Sequence, residues 1–347
     1  MMSLTGHRQG RFIVAILDQD DRPKGPLPGV TGGSVQLSAT TALRASGSLT
    51  LEDIGQEIDW FSDRIKIRYE SNAGSWDLGV FLPSAPTRSY TADGASWDVE
   101  LLGKLAVLDQ DRLASPLSVP QGTLVTEAVT ELIMGAGEER YSIEASTART
   151  TSTLSWDAGT SKLKVINELL AVINYWALTT DGAGVYQAAP YVLPAKRESQ
   201  WHFKAGTDAI HSPKFDRDQD LAAIPNRVLL ISQGGGQTPA LTATASNEDP
   251  NSPYSHIRRG RWIVHTQTGV EATNQKTLND LAQRKLIDLS TPSAKLTIEH
   301  LPLPLTPNAA VNFTSQGIDT RATISSITYS LDPTALCKTT LKEIVDL

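Results

Sequence analysis

The chain has 347 residues, 40% hydrophobic and 20% charged, values that exclude a disordered protein and leave room for two or three domains. Its formal net charge of −7 disfavours generic attraction to nucleic acid or anionic membrane. No apolar run reaches the ~18 residues of a membrane span, and a single cysteine, Cys337, excludes a disulfide framework and a cysteine-based zinc site.

Residues 1–11 lack the apolar core of a secretory signal, so synthesis in a reducing cytosol is expected. Residues 12–17 (Phe-Ile-Val-Ala-Ile-Leu) are a continuous apolar run bounded by charge, the pattern of a buried strand. Residues 18–33 hold three prolines and four glycines and read as a loop or arm. Val35, Leu37 and Ala39, then Leu43, Ala45, Leu49 and Leu51, alternate with polar residues, giving two strands with a break near Gly47.

Residues 58–82 carry the clearest pattern in the chain. Ile65, Ile67 and Tyr69 alternate with Arg64, Lys66, Arg68 and Glu70, a strand with one dry and one charged face. After a turn at 71–75, Trp76, Leu78 and Val80 alternate again, which makes a hairpin that Pro83 closes, because proline cannot donate to a ladder. A second hairpin joins 87–91 to 97–101 through Asp93 and Gly94. Five to seven short strands in this span predict a small antiparallel barrel or sandwich.

The period then changes. Val125, Ala128, Val129, Leu132 and Ile133 recur at helical spacing, with Thr123 as N-cap and Gly135 as stop. A second helix from Thr160 or Ser161 places Leu163, Ile166, Leu170 and Ile173 on one stripe, and residues 140–156 between the two are extended. Residues 176–178 and 185–188 flank a turn, so 121–193 reads as a small α+β unit. Strands resume at 201–204, 224–232 and 240–246, the last two turned at Gly234, Gly235 and Gly236. A polar loop at 247–260, a strand from 262 and a helix at 273–289 follow. Further strands at 296–299, 310–313, 322–331 and 341–345 complete a second β-rich region.

Catalytic and metal motifs are missing. The six histidines form no H-x-x-x-H or H-E-x-x-H pair. Asp216, Asp218 and Asp220 mimic the opening of a calcium loop, but Leu221 stands where glycine is needed and Arg227 where glutamate is. The three glycines at 234–236 lead to no Lys-Ser/Thr helix start, and no serine sits in a G-x-S-x-G elbow. Arg258, Arg259 and Arg261 are the one basic cluster, either a solvated loop paired with nearby acids or a contact for an anionic partner. No catalytic, cofactor-binding or metal-ligating residue is assigned.

Several stretches, in order along most of the chain, carry a family resemblance. They are Asp59 and Trp60 followed by Asp63 to Ile67, the strand from Trp76 to Leu82, and Leu102 to Leu108 followed by Asp109, Gln110 and Asp111. Ser155, Trp156 and Asp157 before a helix, Ile224 to Val228, and the loop from Asn247 to Pro253 extend the match. Together they make the chain resemble the baseplate or tail-tip hub (minor tail) proteins of long-tailed bacteriophages, especially those of actinobacterial hosts.

The resemblance implies a mainly β fold with two tube-like antiparallel β-barrels, at 1–118 and 196–347, separated by a small α+β domain at 119–195. It implies a structural virion protein, not an enzyme, with no cofactor, made in the host cytoplasm and placed in the tail tip. Three chains would present six barrels, so that a three-fold hub docks on a six-fold tail tube. The implied partners are two further copies of the chain, the distal tail or tube protein, the tape-measure protein, and other tip or fibre proteins. Genomic DNA would pass through the hub without specific binding, and the chain would insert in no membrane. Because the chain ends at Leu347, any peptidase or fibre extension found in such hubs is expected on other proteins. The alternative is a β-rich carbohydrate-active enzyme or carbohydrate-binding module of phage or secreted origin, which as an enzyme needs two carboxylates ~5–10 Å apart in a groove.

Overall fold

The computed structural model describes residues 4, 6, 8–92, 94–218, 224–232, 240–272, 274–290 and 295–344. The first strands are β1 (Gly10–Leu17), β2 (Pro23–Pro26), β3 (Val30–Ser38) and β4 (Ala45–Glu52). They continue with β5 (Arg64–Ser71), β6 (Gly74–Thr91) and β7 (Gly94–Gly103). These seven lie side by side as β2-β1-β5-β6-β7-β4-β3, antiparallel throughout. The period-2 pattern puts Ile65, Ile67 and Tyr69 on the dry face of β5, each no more than 2% exposed.

A helical unit follows. It contains α1 (Ala106–Gln110), β8 (Leu117–Val119), α2 (Val125–Met134) and β9 (Tyr141–Ile143). Then come β10 (Leu154–Trp156), α3 (Lys162–Val172), β11 (Thr179–Thr180) and β12 (Tyr186–Ala188). Val129, Ile133, Ile166 and Leu169 from the two long helices meet Leu108 and Tyr186 in a core of their own. Ser161 caps α3, its hydroxyl accepting from the Lys164 N–H.

The chain then returns to the large sheet with β13 (Ser199–Lys204) and β14 (His211–Asp218). It leaves again for β15 (Arg227–Ser232), β16 (Thr242–Ser246), α4 (His256–Arg259), β17 (Val264–Val270) and α5 (Gln275–Ser290). Leu278, Ala282 and Leu286 on one stripe of α5 cover Val228, Leu230 and Ala243. Finally β18 (Lys295–His300), β19 (Ala310–Ser315), β20 (Ile318–Ser330) and β21 (Cys337–Glu343) rejoin the large sheet.

β20 unites the two β-rich regions. Its first half pairs with β19 and its last five residues with β3, while β21 runs along its other side. The result is one thirteen-stranded sheet among the described residues, with β13 on β19 its one parallel pairing. One apolar core runs through it, holding Leu49, Ile67 and Phe81 together with Phe313, Ile327 and Tyr329. The fold is therefore mainly β, with a large antiparallel sheet and small helical insertions.

Four local expectations are corrected. Residues 18–33 are no free arm, because β2 and the start of β3 lie within them. The turn between β3 and β4 falls at 39–44, and Gly47 sits inside β4, where a Cβ would stand 2.4 Å from the Ser34 carbonyl oxygen. Glycine is needed there for close backbone approach, not for a turn. Pro83 does not end β6, which continues to Thr91. β5 pairs with β6 only as far as Phe81, so Pro83 stands where one flank of the strand is open and a missing N–H is tolerated. The cap position of α2 is Leu124, not Thr123, whose hydroxyl instead donates to the Pro120 carbonyl. The glycines at 234–236 and the end of the acidic 216–220 stretch lie outside the described residues.

Candidate assembly surface

Two arrangements of side chains stand apart from ordinary packing: a buried charge cluster that locks the helical unit to the sheet, and an exposed aromatic end of the sheet.

The cluster draws on segments far apart in sequence. Asp21 sits in the β1–β2 turn, Arg64 opens β5, Lys104 follows β7, and Glu138 follows α2. The Arg64 guanidinium spans both acids, at 2.7 Å from Asp21 and 2.6 Å from Glu138. The Lys104 ammonium also spans them, at 2.5 and 2.9 Å, and donates to the Gly184 carbonyl at 2.8 Å. Gly184 holds φ +81°, and a Cβ there would press on Val80 at 2.8 Å, so this backbone approach requires glycine. The Lys104 side chain is fully enclosed, its nitrogen 4.9 Å from the Tyr186 ring centre, and the Tyr186 hydroxyl donates to the Lys104 carbonyl. Arg140 adds a partly exposed contact to Asp21 at 3.0 Å.

Burial pushes the Asp21 carboxyl up, but hydrogen bonds and charge from Lys104 and Arg64 outweigh it and hold the group below its ordinary value. A buried set of two acids and two bases with every partner in place contributes little net stability but fixes geometry, because breaking it strands a charge. Here it fixes the helical unit against β1, β5 and β7.

The alternation of β5 places Arg64 with Lys66 and Arg68 on a charged outer face. Lys66 and Arg68 do lie there, both paired with Asp77 across the hairpin at 2.8 and 2.6 Å. Arg64 has the same parity but is 8% exposed, since the helical unit covers that end of the strand. Lys104 had a local signal, a lone lysine inside the apolar run 101–108 that must find a partner if the run is buried. Glu138 had none.

The second arrangement is the loop between β4 and β5 with the far half of the β6–β7 hairpin. Asp59 braces the loop, accepting from the Phe61 N–H at 3.0 Å and the Ser62 hydroxyl at 2.7 Å. Asp63 accepts from the Asp59 N–H at 3.0 Å and from Lys24 at 2.7 Å. On this braced turn the Phe61 side chain is fully exposed, at 101%. Ile54 and Tyr90 stand out nearby in the fold, 58% and 72% exposed. Arg88 ties the hairpin to the loop by pairing with Asp53 and lying over the rings of Tyr90 and Trp97, and Trp97 packs on Trp60 at 5.3 Å. Beyond Ser84, β6 pairs with β7 alone, leaving a ladder edge beside these rings.

Exposed aromatics on a rigid support beside an open strand edge present apolar area and unpaired backbone groups to a binding partner. Among the described residues no group of three or more His, Cys, Asp or Glu side chains is placed to hold a metal ion. No helix among them is long and apolar enough to cross a membrane.

No family model matches the chain, and no curated protein matches it by sequence. Solved structures do match over nearly its whole length. A tail protein from Neisseria meningitidis superposes with a TM-score of 0.70 at 12% identity, covering 97% of each chain. A 43 kDa prophage tail protein from Shewanella oneidensis gives 0.68 at 12% identity, covering 96% of this chain and 98% of its own. An E. coli component of the type VI secretion system, itself described as similar to T4 bacteriophage tail proteins, gives 0.52 at 12% identity over 92% and 74%. At this identity the likeness establishes a shared fold.

Proposed function

We propose that this chain is a structural hub of a phage tail tip, assembled as a trimer that joins the tail tube to distal tip proteins. The observation that carries the reading is whole-chain: the fold of the Neisseria and Shewanella tail proteins is matched over 97% and 96% of this chain. The large sheet also divides into a group of seven strands before the helical unit and six after it. Two such groups per chain, read as the two tube-like barrels of 1–118 and 196–347 around the 119–195 unit, would let three chains meet a six-fold tube. The braced Phe61 turn and the β6–β7 edge serve as contacts to neighbouring subunits or tube proteins. The actinobacterial affiliation rests on the sequence motifs alone. The net charge of −7 per chain, partly directed to a central channel, would repel DNA phosphates and keep the exit path free of binding.

The reading is tested by native mass spectrometry of the full chain, alone and mixed with the tube protein of the same phage. A species of three chains supports it. A stable monomer in both samples, above all one that cleaves a glycan, overturns it in favour of the carbohydrate-active alternative.

A further inference from the structure

A cavity of about 950 Å³ lies where the helical unit, α5 and the second half of the large sheet come together. Five cationic side chains line it: Arg44, Lys196, Arg197, Arg284 and Lys342. Its carboxylates are Asp288 and Glu198, so the lining carries an excess of three positive charges in a chain whose formal net charge is −7.

Two of the arginines are held rigidly. Trp176 and Tyr191 pack with ring centres 4.5 Å apart. Arg197 lies over Trp176 at 4.7 Å and Arg284 over Tyr191 at 4.0 Å. Backbone carbonyls complete their anchoring: Arg197 donates to Asn308 at 2.8 Å and Arg284 to Tyr175 at 2.9 Å. The other two main cations lack such compensation. Arg44 is held in the β3–β4 turn at φ +61°, a left-handed conformation unfavourable for a long side chain. It donates to the Ala39 carbonyl, yet its buried Nε has no hydrogen-bond partner among the described residues. Lys342 is half-buried, and its ammonium makes no hydrogen bond or ion pair among the described residues. Burial lowers the pKa of both; the charged neighbour acting on Arg44 is another cation, Arg284, while Lys342 faces Lys295 and the one acid Asp288. Asp288 is shared by Arg197, Arg284 and Lys342, so the partly buried cations outnumber their acids, an arrangement that is costly unless an anion completes it.

We propose that this cavity binds a multivalent oxyanion, phosphate- or carboxylate-bearing, contacted by Arg44 and Lys342 against the fixed wall of Arg197 and Arg284. Planar guanidinium groups held by stacking suit bidentate contact with either oxyanion, and the volume admits a ligand larger than one phosphate. The source is a free polyphosphate-type ion or an acidic segment of a neighbouring protein.

Isothermal titration calorimetry of the full chain with inorganic pyrophosphate, and separately with a tetraglutamate peptide, tests this. At least one probe should bind one-to-one with an affinity that falls as salt rises. Lys342→Gln and Arg44→Gln should each weaken it at least tenfold, while Lys338→Gln, exposed on the same strand outside the cavity, should not change it. Circular dichroism checks that each variant is folded, and either of the two cavity variants suffices if the other is not. Tighter pyrophosphate binding identifies a free phosphate ligand, and tighter peptide binding a protein-borne one; both support the site. Absence of saturable binding to both probes, or binding indifferent to both cavity substitutions, overturns the proposal.

Discussion

Lys104→Met is the sharpest probe of how the helical unit is held. The substitution keeps the length of the side chain and removes its charge. It leaves Asp21 and Glu138, side chains 1% and 5% exposed, without the cation that spans them at 2.5 and 2.9 Å. Arg64 contacts one oxygen of each acid, Arg140 contacts Asp21 from a partly exposed position, and the remaining Glu138 oxygen and the Gly184 carbonyl lose their donor. Breaking a buried ion network in this way costs ~3–5 kcal/mol, a large share of the ~5–15 kcal/mol that stabilises a domain. In urea, with a slope of ~2 kcal/mol per molar, the midpoint followed by tryptophan fluorescence should fall by about 2 M. Adding Glu138→Gln to Lys104→Met should recover part of the loss, since one stranded charge is then neutralised. A midpoint unchanged within ~0.3 M, or a double variant worse than the single one by the full cost of Glu138→Gln alone, would refute the reasoning.

His300 makes the stability pH-dependent. Its Nδ1–H donates to the Leu301 carbonyl at 2.6 Å, so Nε2 accepts from the Thr339 hydroxyl at 2.7 Å, and burial pushes its pKa down from 6.5 to about 4. A histidine with a depressed folded value leaves stability intact above about 6.5 and removes it as pH falls toward 4, by about 3 kcal/mol in full. Urea midpoints between pH 7 and 4 should show that slope, and His300→Gln should flatten it. Asp21, held low, acts in a different window: its contribution is present above its ordinary value of 3.8 and lost only as pH falls further. Ile67→Asp, at a position 0% exposed, should abolish folding and tail assembly, because an unpaired buried carboxylate costs several kcal/mol; infectious particles carrying the change would contradict the core placement. Phe61→Ala should leave the unfolding free energy in urea within about 0.5 kcal/mol of the parent yet impair incorporation into particles, scored by immunoblot of purified virions.

Patterns that depend on neighbours in sequence were legible. The β5–β6 hairpin, the turn near Gly94, the Ser161 cap and the stripes of α2, α3 and α5 all follow from local period and turn chemistry. What stayed hidden depends on which surface meets which. Arg64 shares its parity with Lys66 and Arg68, and only the approach of the helical unit turns it inward. Gly47 and Pro83 look like strand breakers until the partner strands are known, one being a close approach and the other lying where β6 has an open flank. The thirteen residues of β20 read as a shorter strand, although their full length lets β20 touch β19, β21 and β3. The loop bearing Phe61 was marked by Asp59 and Trp60, but full exposure of the ring follows from the hydrogen bonds bracing the turn, and these pattern alone does not carry.

The proposed hub has a definite place in a particle, so an electron cryomicroscopy reconstruction of the tail tip of phage carrying this chain tests it most directly. Three copies are expected in a closed ring at the end of the tube, around a channel, with the β6–β7 edge and Phe61 in contact with neighbouring protein. A tail tip without this chain, or with it as an isolated peripheral copy, would contradict it.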